Sequence, residues 1–255
     1  MLDVKKELHL FFTALVFYTR IPISNWVPYK EESQALSARY FPLVGTVVGT
    51  LTALVFWTAA LLFATPIAIL LAMTTAIWVT GALHEDGFAD LCDGFGGGWT
   101  KERILEIMKD SSLGTFGVLG LIVAMGIKFL ALAQLPIDVV PLTFIAGHTI
   151  SRYVAITFLN THAYARSDDT QKAGAMVRPM RPAEQLIALL PALIAALSMF
   201  LIFSPLLVVI SIIPLAIIRW YLGKLFMRKL EGYTGDCLGA TQQITEVIFY
   251  LMLSL

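Results

Sequence analysis

The chain has 255 residues, 58% of them hydrophobic and only 14% charged, with a formal net charge of zero. Soluble domains carry about 25% charged residues, so the composition argues against a soluble enzyme and for an all-α, polytopic integral membrane protein. The balanced charge gives no global attraction for nucleic acid, and two cysteines, Cys92 and Cys237, are too few and too distant for a disulfide framework or a zinc knuckle.

In chain order, residues 8–19 (LHLFFTALVFYT) would cover only about 18 Å as a helix. They follow Lys5 and Lys6 without a cleavage site, so a retained interfacial or re-entrant helix is expected. Apolar runs then predict about seven spans: 41–64, 66–83, 114–135, 139–159, 186–204, 205–222 and 241–255, the last of them short. Pro66, Pro141, Pro191 and Pro214 fall at or inside span ends, where membrane helices tolerate them. Nearly all lysines and arginines lie in segments 1–7, 20–40, 84–113, 160–185 and 219–240, and none near Thr65, in 134–138 or at Ser204-Pro205. The positive-inside rule then puts every long polar loop in the cytoplasm. Only Lys128 and Arg152 remain within spans. Arg152 lies within reach of a cytoplasmic cavity, whereas Lys128 is nearer the far side and is expected to snorkel. No internal repeat or low-complexity linker divides the chain, so 1–255 reads as a single catalytic domain.

The stretch HEDGFADLCDG, 84–94, abuts an apolar run. On a helix, Asp86, Asp90 and Asp93 fall at about 0°, 40° and −20°, a single narrow face. Three ionised carboxylates there repel one another and are relieved by protonation, by basic partners or by a divalent cation. Hard oxygen ligands with positions left for water suit Mg²⁺ or Mn²⁺; a solvated helix end is the bland alternative. Glu85 points about 100° away from the three, and His84 is a candidate general base or an interfacial cap. Gly87 and Gly94 are expected to let a ligand approach. GFGGGW reads as a flexible turn, and TKERILEIMKD as an amphipathic helix capped by Thr100. A metal held by aspartates at a membrane face serves phosphoryl chemistry. An ion or proton translocator is the competing class, disfavoured because the acids crowd at one edge, Glu246 excepted.

A second polar centre, RKLEGYTGDCLGATQQ at 228–243, holds Asp236 between Gly235 and Gly239. A Gly/Thr-rich helix start can receive a phosphate, Asp236 can be another metal ligand, and a plain connecting turn fits equally well. KDSSLGTFG at 109–117 either caps a span or lines a site. His148 and Arg152, one turn apart, favour one polar pocket.

Five stretches together resemble the cobalamin synthase family, the adenosylcobinamide-GDP ribazoletransferases: FYTRIPIS (17–24), RYFPLVGTVVG (39–49), LHEDGFADLCDGFGGG (83–98), RILEIMKDSSLGTFG (103–117) and GYTGDCLGATQQITEV (232–247). The resemblance runs nearly end to end. It implies a Mg²⁺-dependent enzyme of the bacterial cytoplasmic (inner) membrane, multi-pass in the lipid bilayer, with its active site facing the cytoplasm. Such an enzyme joins adenosylcobinamide-GDP to α-ribazole or its 5′-phosphate and releases GMP, the lower-ligand attachment step of vitamin B12 synthesis. By the same resemblance Asp86, Asp90 and Asp93 hold the metal, and His84 or an aspartate oxygen takes the proton. Asp236, with Thr234 and Gly235, belongs to the substrate site, and Lys109 and Arg152 offset charge on the leaving GMP. A homo-oligomer or association with other corrinoid-pathway enzymes is compatible with this reading. CDP-alcohol phosphatidyltransferases also carry an aspartate-rich membrane-edge motif, but DGFADLCDG lacks their Ala-Arg and the later D-x-x-x-D.

Overall fold

The computed structural model describes residues 3–23, 27, 31–166 and 178–255. Helix α1 (Val4–Tyr18) starts where the Asp3 carboxylate accepts from the Lys5 and Lys6 amides, satisfying donors that the first turn leaves open. At 15 residues it does not span. It packs Ala14 and Leu15 against Val44, Val48, Ala76 and Val79 and leaves Leu8, Phe12 and Phe17 exposed. Helix α2 (Glu31–Ser37) runs through a 3₁₀ turn, Ala38–Tyr40, into α3 (Phe41–Ala60). There follow α4 (Thr65–Thr80), α5 (Leu83–Gly97), α6 (Lys101–Ile107), α7 (Thr115–Ala133), α8 (Val140–Ile156), α9 (Pro182–Met199), α10 (Pro205–Leu230) and α11 (Gly235–Leu253). Helices α3, α4, α8, α9 and α10 each begin with proline in the first two positions, where its missing N–H costs nothing.

Each of the seven predicted apolar runs forms a helix. Among the described residues, five helical stretches are long and apolar enough to cross a membrane: Glu32–Ala60, Thr115–Ala133, Val140–Asn160, Pro182–Met199 and Pro205–Leu230. Helices α4 and α5 together would make a sixth, bent by 87°. The difference from seven has two causes. Helix α4 is only 16 residues long, and α11 buries Gln242, Gln243 and Glu246 where a simple span carries apolar groups. The chain is an all-α, polytopic membrane protein in which one helix is central and polar.

The bend after α4 is built from Gly81 and Ala82, both left-handed with φ of 68° and 60°. Glycine takes that conformation freely and alanine only under constraint. The constraint includes Arg20, whose amide donates to the Val79 carbonyl at 2.7 Å and whose side chain occupies the space that a Cβ on Gly81 would need. This turn swings the acidic sequence of α5 away from the axis of α4.

Helices α3 and α8 approach through Gly45 and Gly49, one turn apart. A Cβ on Gly45 would stand 2.3 Å from the His148 carbonyl oxygen, and one on Gly49 would stand 2.7 Å from the Ile145 Cα. This is the small-xxx-small packing that lets membrane helices meet backbone to backbone. Gly45→Ala should therefore cost about 1–3 kcal/mol through overpacking. Unfolding titrations in detergent would show it as a lower midpoint, and an unchanged midpoint would mean that the helices part freely there.

Apart from the cluster beneath α1, the apolar core is divided in two along the helices. One cluster joins Phe56, Ile69, Leu132, Phe144, Met199 and Phe249 at one end. The other joins Phe88, Ile104, Ile156, Phe158, Phe226 and Cys237 at the end that carries the acidic motif. Between them lies a buried polar layer. Lys128 Nζ sits 3.0 Å from Glu246 Oε1 and donates to Gln243 Oε1 at 2.9 Å, and His148 Nδ1 is 3.2 Å from Glu246 Oε2. Gln242 donates to Ser151 and to Glu246, and Gln243 donates to Glu85 Oε1 at 3.0 Å. Lys128 thus does not snorkel as expected: it is 5% exposed because Glu246, 1% exposed, gives it a counter-charge inside the bundle.

Candidate active site

Helix α5 is continuous through Gly97, so GFGG is its last turn rather than a flexible one, and only Gly98–Thr100 turn the chain into α6. Thr100 caps α6 by accepting from the Arg103 amide at 3.3 Å. Because α5 is unbroken, Asp86, Asp90 and Asp93 do share a face, but their surroundings differ. Asp86 is exposed and Asp90 half-buried. Asp93 is buried, with Oδ2 accepting from the Gly114 amide and Oδ1 from the Gly117 amide, both at 2.8 Å. These amides are open donors at the start of α7, where the helix dipole also favours an anion. Asp93 therefore anchors α7 to α5, and both its oxygens already have partners. The close approach of α7 depends on Gly114 and Gly117: a Cβ on either would meet the Asp93 carboxylate at 2.4–2.5 Å.

The tertiary structure brings the second polar centre to the same place. Helix α11 starts against the first half of α5, and a Cβ on Gly87 would lie 2.9 Å from the Asp236 Cα, one on Gly239 3.2 Å from the His84 carbonyl oxygen. The glycine at position 87 thus admits another helix rather than a ligand. Gly94 likewise faces Met108, whose side chain a Cβ would touch at 2.6 Å. Asp90 now has Asp236, Asp86 and Asp93 as charged neighbours, offset by the guanidinium of Arg166. Arg166 donates to Asp236 Oδ2 at 2.8 Å. It is delivered there by a short pairing of chain segments, in which the Ala165 amide donates to the Tyr233 carbonyl at 2.8 Å and the Tyr233 amide to the Ala163 carbonyl at 2.9 Å. Sequence reasoning did not single out Arg166, since nothing local connects it to a carboxylate 70 positions away.

The other expected site residues separate into two groups. Gly235 is exposed at the first position of α11 with open space above its Cα. Thr234 is buried as the cap of α11, accepting from the Cys237 amide and donating to Asp236 Oδ2, both at 3.3 Å, so it positions the aspartate. Lys109 is exposed and, with Arg103, Ser112, Gly114 and Asp93, lines a cleft of about 700 Å³ beside the acidic face. Within this cleft the Asp110 carboxylate accepts from the Ser112 amide at 2.9 Å and holds the loop in a turn.

His84 and Arg152 lie in the interior instead. His84 is 3% exposed and stacks on Phe41 with ring centroids 5.5 Å apart. Arg152 is 1% exposed, with Nη1 3.2 Å from His148 Nδ1, its guanidinium 5.6 Å from the Phe41 ring centre, and Glu246 and Glu85 as its neighbouring charges. His148 and Arg152 share one polar pocket, as their spacing predicts, but that pocket is the buried layer. Glu85, pointing away from the aspartates, joins the same layer through Gln243.

Among the described residues, no three of His, Cys, Asp and Glu lie together as a ready metal cage. The carboxylates gathered here for a cation are Asp86, Asp90 and Asp236, with Asp93 one turn on and already holding one amide on each oxygen; all are hard oxygen donors whose mutual repulsion a cation would relieve. Mg²⁺ needs no cage of three protein ligands, because it binds through one or two carboxylates and takes its other oxygens from phosphates and water. The donor set fits that ion and offers nothing soft for zinc.

The family model described as cobalamin-5-phosphate synthase matches residues 10–254. An adenosylcobinamide-GDP ribazoletransferase of Shewanella frigidimarina (strain NCIMB 400) is 43% identical over 252 residues, covering 97% of this chain and 95% of its own. Proteins of the same name from Shewanella woodyi and Shewanella amazonensis are each 40% identical, over 98% and 100% of this chain and 97% and 98% of theirs. No solved structure matches.

Proposed function

Because the chain belongs to the cobalamin-5-phosphate synthase family, we propose that it is an adenosylcobinamide-GDP ribazoletransferase, which transfers the adenosylcobinamide-phosphate group to α-ribazole or its 5′-phosphate and releases GMP. The observation that carries this reading is the seating of Asp236 against Gly87, which gathers Asp236 with Asp86 and Asp90, while Asp93, the next carboxylate on the same face of α5, lines the open cleft. In the transfer, a ribazole hydroxyl oxygen attacks the phosphorus attached to cobinamide, the bond from that phosphorus to the bridging oxygen breaks, and GMP departs with the bridging oxygen.

Mg²⁺ is the proposed cofactor, and one or two of Asp86, Asp90 and Asp236 would hold it; when bound it would neutralise phosphate oxygens. The chain's own groups supply the rest. Lys109 faces the cleft where a departing nucleotide phosphate would gather charge, while Arg103 there is paired with Glu106 at 2.7 Å. Arg166 and Thr234 fix the carboxylate of Asp236. The hydroxyl proton is assigned to a carboxylate oxygen of Asp86 or Asp90, because His84 is stacked on Phe41 inside the bundle. Arg152 is assigned to support α8 rather than to bind phosphate.

The lysine and arginine asymmetry supports an orientation with this cleft in the cytoplasm of a bacterial inner membrane, the compartment that holds nucleotides. Purified protein in lipid with adenosylcobinamide-GDP, α-ribazole and Mg²⁺ should yield adenosylcobalamin and GMP by mass spectrometry, and EDTA should abolish both. Absence of product would overturn the activity, and product unaffected by EDTA would overturn the metal.

A further inference from the structure

A groove of about 560 Å³ opens along the C-terminal half of α10, at the end of the bundle where that helix leads into the start of α11, and is unconnected with the chemistry above. Among the described residues its charged lining is one-sided: Arg219, Lys224 and Arg228, with Trp220 among them and no carboxylate. Arg219 forms the inner wall. Its Nε donates to Thr157 Oγ1 at 2.9 Å, its Nη2 donates to Thr161, and its guanidinium lies 3.9 Å from the Phe158 ring centre. Lys224 and Arg228 are exposed. The Lys224 ammonium stands 4.2 Å from the Trp220 ring centre, a cation held on an aromatic face instead of by an acid.

Depth along α10 identifies what meets these cations. Leu206, Val209, Ile213 and Ile217 are exposed and form an apolar stripe suited to acyl chains. Measured from Pro205 at 1.5 Å per residue, Trp220 lies at about 22 Å, Lys224 at about 28 Å and Arg228 at about 35 Å. With a hydrocarbon core of about 30 Å beginning at Pro205, Lys224 and Arg228 bracket its edge at headgroup depth, and Trp220 lies about one and a half turns inside that edge. We propose that this groove binds the phosphate of an anionic phospholipid headgroup, with Lys224 and Arg228 pairing the phosphate and Trp220 packing beside the upper acyl chain. A zwitterionic headgroup would bring its own ammonium to three cations that have no carboxylate beside them among the described lining residues. A free phosphate would gain nothing from the apolar stripe that leads into the groove.

The test is native mass spectrometry of the full chain released from nanodiscs of equal phosphatidylglycerol and phosphatidylethanolamine. Wild-type protein should retain phosphatidylglycerol in preference, and Lys224→Gln with Arg228→Gln should weaken that preference by about fivefold per lost cation. The charge-keeping pair Lys224→Arg and Arg228→Lys should retain it, which separates lost charge from lost folding. A large excess of inorganic phosphate should leave the lipid bound. Equal retention of the two lipids by the wild-type protein, equal preference in the glutamine variant, or displacement by inorganic phosphate would each overturn the proposal.

Discussion

Asparagine at position 86 or 90 should lower ribazole transfer by about 100- to 1000-fold, the usual loss when one preorganised charge-stabilising group is removed, while the protein still inserts and folds. Asp86 is exposed and Asp90 half-buried, and among the described residues no hydrogen bond is seen from either to another helix. Asp93→Asn should behave differently. The Asp93 carboxylate receives one backbone N–H on each oxygen, from Gly114 and Gly117, and an asparagine can accept only one of them. Hydrogen bonds to a charged group are worth about 1.5–3 kcal/mol, so the Asp93 variant should lose stability of that order and lose activity through a loosened 108–114 loop. Its Mg²⁺ requirement should stay near that of the wild type. Activity titrated against Mg²⁺, alongside unfolding in detergent, separates the cases. Near-normal turnover in Asp90→Asn would remove that carboxylate from the reaction, and a raised Mg²⁺ requirement in a stable Asp93→Asn protein would make Asp93 a ligand instead of an anchor.

Glu246→Leu should be the most damaging change in the bundle. Glu246 is the acceptor for the Lys128 ammonium and for the His148 ring, and it accepts from Gln242 as well. Removing it leaves Lys128 as a buried charge without its counter-ion, a loss of about 3–5 kcal/mol. Buried ion pairs replaced whole by apolar groups are often neutral, so adding Lys128→Met to Glu246→Leu should recover much of the stability. Unfolding free energies of the two single variants and the double variant in detergent form the cycle. A double variant as unstable as the sum of the singles would show that the two charges do not act as a pair.

Much of the fold was legible because a bilayer imposes one rule on the backbone: apolar runs must be helices whose hydrogen bonds close within the segment. All seven predicted runs are helices, and α1 is too short to span, as its length requires. The span count was less legible. Hydropathy reads α11 by its apolar residues, whereas its Gln242, Gln243 and Glu246 are buried against Lys128, His148 and Glu85, which only the packing brings near. Lys128 was misread for the same reason: snorkelling is the default for a lysine without a partner, and its partner lies 118 positions along the chain.

At the site, the i, i+4, i+7 spacing of Asp86, Asp90 and Asp93 is a property of any α-helix, so their common face follows from the sequence alone. So does the membrane class, from the scarcity of charge and the length of the apolar runs. What the spacing could not assign was the separate duty of each carboxylate. That depends on the left-handed turn at Gly81 and Ala82, which aims α5, and on Gly87, which admits the backbone of α11. It depends also on the start of α7, whose free amides take both oxygens of Asp93. Helical periodicity is local and legible one turn at a time, whereas an open N–H or a partner guanidinium such as that of Arg166 acts over about 3 Å and is placed there only by the tertiary structure.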